Sequence, residues 1–520
     1  MVLRKFWLVI GLLLMGLFVL AACTQSTVEN NAGGDTDTTV ENVETETDTE
    51  VTEPETDAEP VEEEPAEEAE EPAEEPAEEP AEEPAEEEPA EEPAAEGFPE
   101  GTQLQIMQWS HFVPAYDVWF DEFAPAWGEA NGVEVTVDHL DIASLDPSLI
   151  AALDAGEGPT LVELPIAAAN YVEGVHDLSD LIARAEEEFG PMNDTCRANS
   201  YLPTNDMWYG FCHGWTPDPG DYDISMWTEA GFAGGPSTWA ELLEGGTYIR
   251  ENLGVPMGLG LSPEIDSNMA MRAIIWSHGG SIQDENECVV INSPEVLAAV
   301  EYLVELYNNT MTEEVFGWNA ASNNQGLIAG DLSYILNSIS AYRSLQKIDP
   351  GAANNIGFTP ALIGPNGDQH ASAHLWYIYL IPSYVEKDSP EYRAAEEFIL
   401  NLVRNYNDVV YNSELYNFPA FEGVAPDLAG WLENDPFGSE PADKLAFLAG
   451  AEEWTTYLGY PGPSNPAVAE VYATNIIPTM MGQAALGELT PQEAIDQAEA
   501  QINEIFAKWR DRGLVGCTDQ

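Results

Sequence analysis

Positive charge is what this chain lacks. Its 520 residues include 15 Lys or Arg against 94 Asp or Glu, a formal net charge of −79. A chain of that sign repels polyanions, so nucleic acid and anionic membrane surfaces are excluded as partners. Cysteine is scarce, at 5 in the whole chain, and no Cys-x-x-Cys or paired Cys/His spacing occurs. No metal or cofactor is expected from that pattern. Catalytic signatures are missing as well: there is no Gly-x-Ser-x-Gly elbow, no phosphate-cradling glycine loop followed by Lys, and no His-Glu-x-x-His. Paired carboxylates of the glycosidase kind stay open, because their spacing in space is not visible in a sequence.

Only one long apolar run is present. Phe6 to Ala22 is unbroken by charge, follows Arg4 and Lys5, and ends Leu20-Ala21-Ala22-Cys23. It is at the lower limit for a membrane span and fits a secretory signal over residues 1–23. The Leu-Ala-Ala-Cys ending resembles the lipobox of bacterial lipoproteins, which implies lipidation at Cys23; an uncleaved signal anchor is the alternative. Either way the rest of the chain is expected outside the cytoplasm, on the outer face of the cell membrane.

Residues 24–100 contain 32 of the acidic residues, no Lys or Arg and few large apolar side chains, so they can form no core. Prolines at 60, 65, 72, 76, 80, 84, 89 and 93 punctuate a Pro-Ala-Glu-Glu repeat. Proline at every fourth position removes the amide that each helical turn needs, which favours extended polyproline-like geometry. Such a tether reaches on the order of 200 Å at most. It reads as a spacer, with a cation-binding tail as the rival reading.

Residues 101–520 alternate strand and helix signals. Gln103 to Trp109, Val133 to Val137 and Thr160 to Leu164 have strand character, and Phe120 to Asn131 and Pro147 to Ala155 have helical spacing. That alternation predicts an α/β fold with a parallel sheet covered on both faces. Ser293-Pro294-Glu295, Ser389-Pro390-Glu391 and Thr490-Pro491-Gln492-Glu493 each place a capping hydroxyl before proline at the first helical position. Asn355 to Ile363 and Leu375 to Ile381 are further expected strands, and the length calls for two lobes.

After Cys23 four cysteines remain, an even number that suggests two disulfides outside the cytoplasm. Of the three pairings, Cys196 with Cys212 closes a short loop and is favoured; Cys288 with Cys517 follows by elimination. His370 and His374 have helical spacing but precede a strand, and read as structural or solvent-exposed. The segment Asp218 to Glu229 has an acidic start and Glu at its twelfth position, yet Asp223 stands where an EF-hand loop needs glycine.

The order of short motifs then points to a family. Leu104 to Trp109 followed by Ser110-His111-Phe112 is similar to the opening strand and first ligand loop of the ABC-transporter extracellular solute-binding proteins that include maltose-binding and glycerol-phosphate-binding proteins. Gly158 to Leu164, Val175 to Ser179, Trp208-Tyr209-Gly210-Phe211-Cys212 and Pro236 to Leu242 resemble successive landmarks of that family, with Cys212 where the family has proline. Gly279-Gly280, Ser293 to Leu306, Gly326 to Asp331, Ile356 to Gly367 and Gly487 to Ala494 follow in order.

The resemblance implies a periplasmic-binding-protein-like fold of type II: two α/β lobes, a hinge and an interlobe cleft. Lobe one would be about 101–211 and 380–425, and lobe two about 213–373 and 430–520. It implies a monomeric binding protein rather than an enzyme, with a permease as partner and the membrane touched only through the lipid. Trp109, His111, Glu163, Leu164, His213, Trp215, Trp318, Asn319, Tyr342 and Trp376 fall at cleft-facing landmarks and are the expected ligand residues. Aromatic rings stack on pyranose faces and carboxylates and amides take the hydroxyls. The scarcity of Lys and Arg favours a neutral sugar or oligosaccharide over an anion, with a polyamine as the rival ligand; a stalked glycosidase or an adhesin is the rival class.

Overall fold

The computed structural model describes residues 97–166 and 168–517. The signal segment, Cys23 and nearly all of the tether lie outside these residues. Strand β1 (Gln103–Trp109), helix α1 (Pro114–Asn131), strand β2 (Glu134–Leu140), helix α2 (Ile142–Ala155) and strand β3 (Leu161–Leu164) open the fold. Helix α1 starts on a proline, whose missing amide would be unsatisfied there anyway, and stops at Gly132 in the left-handed region with φ 74°. The Asp141 carboxylate accepts from the Ala143 amide and caps α2. Strand β1 pairs in parallel with β2 along its whole length and with β3 at Ile106 and Met107.

Two strands then carry the chain between sheets. β4 (Phe211–Thr216) belongs to the first sheet, and β5 (Gly220–Asp223) is the centre of a second. β5 pairs antiparallel with β6 (Tyr334–Leu336) and β7 (Ile356–Thr359). The chain returns to the first sheet as β8 (Leu375–Leu380), and β9 (Phe418–Pro419) adds an edge. The first sheet thus has the order β9-β4-β8-β3-β1-β2.

The expectation of a purely parallel sheet is corrected here. β8 runs antiparallel to both β3 and β4. The reason is topological: β4 leaves toward the second sheet and β8 comes back from it, so the two must run in opposite directions. Every residue of β8 is buried, and its run Leu-Trp-Tyr-Ile-Tyr-Leu is apolar or aromatic on both faces, as a central strand requires. The outward crossing lies at residues 217–219, after Thr216, so His213 and Trp215 are strand residues of the first sheet.

The remaining helices cover the sheets. They include α3 (Trp239–Asn252), α4 (Ile265–Ser277), α5 (Pro294–Thr310), α6 (Ser340–Ile348) and α7 (Pro390–Arg404), then α8 (Pro466–Ala473), α9 (Ile476–Ala485) and α10 (Pro491–Arg510). Helices α5, α7 and α10 begin at the Ser293, Ser389 and Thr490 caps, and Thr490 with Glu493 forms a reciprocal capping box. All 13 residues of α4 are buried, including Asp266, Asn268 and Arg272. A helix buried all round is expected to be apolar throughout, so polar side chains on α4 mark where the interior has another use.

Cys196 is bonded to Cys212, and Cys288 to Cys517. The Asp218–Glu229 segment is a strand followed by a short helix, with Asp218 and Asp221 buried, so no calcium loop exists there. No cluster of metal-ligating side chains occurs among the described residues.

Candidate ligand-binding site

The carboxyl ends of β1, β2 and β3 face residues contributed by the second sheet and its helices, and a cavity of about 620 Å³ lies between them. Ligands of open α/β sheets bind beyond the carboxyl ends of the strands because the loops there are free to vary. From the first sheet come Phe112 after β1, Asp141 and Asp146 after β2, and Leu164 and Pro165 after β3. The opposite wall has Glu264 and Asn268 at the start of α4, Trp318 and Asn319, and Tyr472 and Asn475 around the end of α8.

Each side chain is placed by local structure. Phe112 stands edge-on to Trp109 at 5.1 Å between ring centroids. Trp318 is half-buried, Ser262 Oγ donates to its carbonyl at 2.7 Å, and Gly258 lies against its ring with no room for a Cβ. Asp146 accepts from the Tyr171 hydroxyl at 2.7 Å. Glu264 accepts from the amides of Asp266 at 2.7 Å and Ser267 at 2.5 Å, capping α4. Burial pushes the carboxyls of Asp146 and Glu264 above the usual range, the Tyr171 and Ser267 hydrogen bonds pulling the other way. Among the described residues, no Lys or Arg lines the cavity.

Of the ten expected ligand residues, Leu164, Trp318 and Asn319 are on this wall. The other seven are packed elsewhere. Trp109 is fully buried and stacks on His111 at 4.8 Å. His111 Nδ1 accepts from the Val113 amide at 2.9 Å, so its Nε2 carries the proton and donates to Asn417 Oδ1 at 2.7 Å. Burial pushes His111 down to about 3, against the Asn417 and Val113 hydrogen bonds, and the ring is neutral. The two rings thus form the layer beneath Phe112 rather than the surface itself.

Glu163 and His213 meet at 2.7 Å, both closed off from solvent. His213 stacks between Tyr377 and Tyr379, at the register shift where β4 pairs with β8. Trp215 packs on Phe418, its partner in β9, and Trp376 Nε1 donates to Thr195 Oγ1 at 2.9 Å. Tyr342 is fully buried on α6, its hydroxyl donating to Ser439 Oγ at 2.8 Å. His374, which lacks an acidic neighbour in sequence, has one in space: Asp218.

Sequence reading missed Phe112, Asp141, Asp146, Glu264, Asn268, Tyr472 and Asn475. The rule that places ligands beyond strand ends points to Asp141 once β2 is recognised. No sequence signal brings Tyr472 and Asn475 beside residues more than 300 positions earlier.

This is the arrangement of a binding protein: two sheets joined by crossing strands around a mixed aromatic and polar cavity. The family of bacterial extracellular solute-binding proteins matches residues 119–436, and the chain belongs to that family. Its place of action is therefore extracytoplasmic. No helix among the described residues is long and apolar enough to cross a membrane. No curated protein matches the sequence.

Solved structures share the fold. A candidate oligosaccharide periplasmic-binding protein of Synechococcus sp. MITs9220, in complex with zinc, is 21% identical with a TM-score of 0.66, covering 78% of this chain and 100% of its own. Maltose-bound MalE3 of T. maritima is 19% identical with a TM-score of 0.65, at the same coverage. A sugar transporter of Arthrobacter chlorophenolicus A6 with bound laminaribiose is 15% identical, TM-score 0.63, covering 77% of this chain and 99% of its own.

Proposed function

We propose that this chain captures a neutral sugar or oligosaccharide in the cavity and delivers it to the permease of an ABC importer. The observation that carries the reading is the composition of the wall. Phe112, Trp318 and Tyr472 offer ring faces, while Asn268, Asn319, Asn475 and the carboxylates offer hydrogen bonds without a fixed positive charge. Sugars present apolar ring faces beside hydroxyls and need that mixture. An anionic solute would instead call for Lys or Arg. The solved relatives holding maltose and laminaribiose support the same class.

Capture works by closure. A ligand touching both walls stabilises the closed arrangement over the open one and shifts the population toward it, and the closed form is what the permease meets. The boundaries of the moving lobes follow the two crossings, 217–219 outward and the segment before β8 on return. The chain acts as a monomer and catalyses no reaction. Cys23 carries the lipid, and residues 24–100 hold the folded part away from the membrane. Asp141, Asp146 and Glu264 on the wall favour a polyamine as the second reading. Against it, Asp141 and Glu264 already cap helices and Asp146 holds Tyr171.

A thermal-shift screen of the purified protein against maltose, laminaribiose, D-tagatose, spermidine and glycerol phosphate tests the proposal. A ligand bound only by the native state raises Tm with its concentration. A shift with a neutral sugar is expected; a shift with spermidine alone replaces the sugar reading by the polyamine one.

A further inference from the structure

One polar wall of the cavity is organised by a side chain that lies behind it. Arg272 on α4 is 1% exposed. Its Nη1 donates to Asn268 Oδ1 at 2.6 Å, and its guanidinium sits 4.8 Å over the Tyr472 ring. Asn268 Nδ2 donates to the Glu264 carbonyl at 3.3 Å and to Asn475 Oδ1 at 2.7 Å. Among the described residues, Asn475 Nδ2 has only a long contact, 3.4 Å, to the Ala473 carbonyl. Asn268, Tyr472 and Asn475 all line the cavity.

The two ends of an asparagine amide are alike in shape and opposite in hydrogen bonding, so its partners decide which way it points. At Asn268 the partners leave one choice. A guanidinium has donors only and must face Oδ1; a backbone carbonyl only accepts and must face Nδ2. With Asn268 Nδ2 aimed at Asn475, Asn475 must answer with Oδ1, and its own Nδ2 is turned away from Asn268. The backbone of Asn475 is left-handed, φ 54°, a conformation that asparagine tolerates better than most residues.

Packing alone does not account for Arg272. Its Nε and Nη2 have no hydrogen-bond partner among the described residues, and an apolar side chain there would avoid leaving them buried and unpaired.

We infer that Arg272 is a positioning residue that, through Asn268, fixes Asn475 as a hydrogen-bond donor to the bound solute, which presents an acceptor oxygen at that point. The inference rests on the solute-binding reading of the cavity. It names a specificity that the cavity's shape does not supply.

Two measurements separate this relay from that reading. Neutron diffraction from crystals of the unliganded, deuterium-exchanged protein reads both amides directly. Deuterons are expected on the Asn268 atom facing Asn475 and absent from the Asn475 atom facing Asn268; the reverse at either residue overturns the relay. The second is a double-mutant cycle on binding, by calorimetry with maltose, laminaribiose and D-tagatose as probes.

Asn475→Asp keeps the acceptor for Asn268 but removes the donor, so it should weaken binding about tenfold or more in the wild-type background. Arg272→Met leaves only the long 3.3 Å contact to the Glu264 carbonyl to orient Asn268, so the same change should then cost only about threefold or less. Arg272→Lys keeps a donor-only group and should restore the larger loss. Equal losses in all three backgrounds overturn the relay. If none of the three sugars binds, the sugar reading fails while the neutron map still decides the orientation. The map likewise decides it if Arg272→Met does not fold.

Discussion

His374 and Asp218 stand on the two segments that cross between the sheets, and their side chains meet at 3.0 Å, Nδ1 to Oδ1, both shut off from solvent. The backbone repeats the contact, His374 N donating to the Thr216 carbonyl at 2.8 Å. Burial pushes the Asp218 carboxyl above its ordinary range, with His374 opposing. The contact is a buried hydrogen bond that joins the two crossing segments.

Asp218→Ala should accordingly destabilise by about 1–3 kcal/mol, the cost of leaving a buried imidazole without its partner. Asp218→Asn preserves an acceptor and should cost clearly less. Urea denaturation of the two variants checks this. Equal losses would mean that charge, not hydrogen bonding, holds the crossing.

Two tryptophans separate binding from packing. Trp318→Ala removes a half-buried ring from the cavity wall, so it should abolish the sugar-induced rise in Tm while lowering the unliganded Tm modestly. Trp215 is 3% exposed against Phe418, and Trp215→Ala should cost about 3–5 kcal/mol of stability in any ligand state. A thermal-shift comparison of both variants decides. Loss of the sugar response in Trp215→Ala without loss of stability would move the site to β4.

The contrast shows how far the sequence could be read. Local signals worked where they act locally: the alternation in β1 and the Ser293, Ser389 and Thr490 caps specify their elements without help from elsewhere. The order of motifs carried the family. Individual site residues were harder, because Trp215 and Trp318 look alike in sequence and differ only in what packs against them. Strand pairing with β8 and β9 buries the first, whereas the second follows the short 3-10 helix Glu313–Gly317 in extended backbone, on a wall. Tyr472 and Asn475 were illegible for another reason, since only the packing of α8 and α9 brings them to α4.

Burial of carboxylates sets an unusual dependence on pH. Burial raises Asp117 to about 6 and holds Asp218, Asp221 and Asp266 above their ordinary range. Between about pH 4, where unfolded carboxylates titrate, and these raised values, the folded chain binds more protons than the unfolded one. Stability therefore rises as pH falls through that window. His111 works in the opposite direction. Held down at about 3 by burial, it loses stability progressively as pH drops from about 6.5.

Asp435 does the same, but lower still. Its burial is outweighed by Arg343, at 2.6 and 3.1 Å, so its contribution goes only below about pH 4. Burial also holds the imidazoles of His278 and His370 below their ordinary value, so they act with His111. The raised carboxylates outweigh these three imidazoles, and protonation also relieves the self-repulsion of a −79 chain. Tm should be higher at pH 5 than at pH 8, then fall toward pH 3, and Asp117→Asn should flatten the rise. A Tm that falls steadily from pH 8 to 5 would refute the assignment.

The two disulfides should be unequal in both value and access. In the chain-entropy account a crosslink stabilises by restricting the unfolded chain, more so for a longer loop: about 3 kcal/mol near 15 residues and about 5 beyond 100. Cys196 and Cys212 are 16 residues apart, whereas Cys288 and Cys517 are 229 apart. Removing the second pair by double Cys→Ala should therefore lower stability more than removing the first. Access runs the same way, because Cys196 and Cys212 are fully buried while Cys288 and Cys517 are partly open. Graded reduction followed by thiol trapping and mass spectrometry should label Cys288 and Cys517 first, with the larger part of the Tm loss already complete. Simultaneous labelling of all four would mean that reduction waits on global unfolding, and that the C-terminal crosslink is as protected as the one in the core.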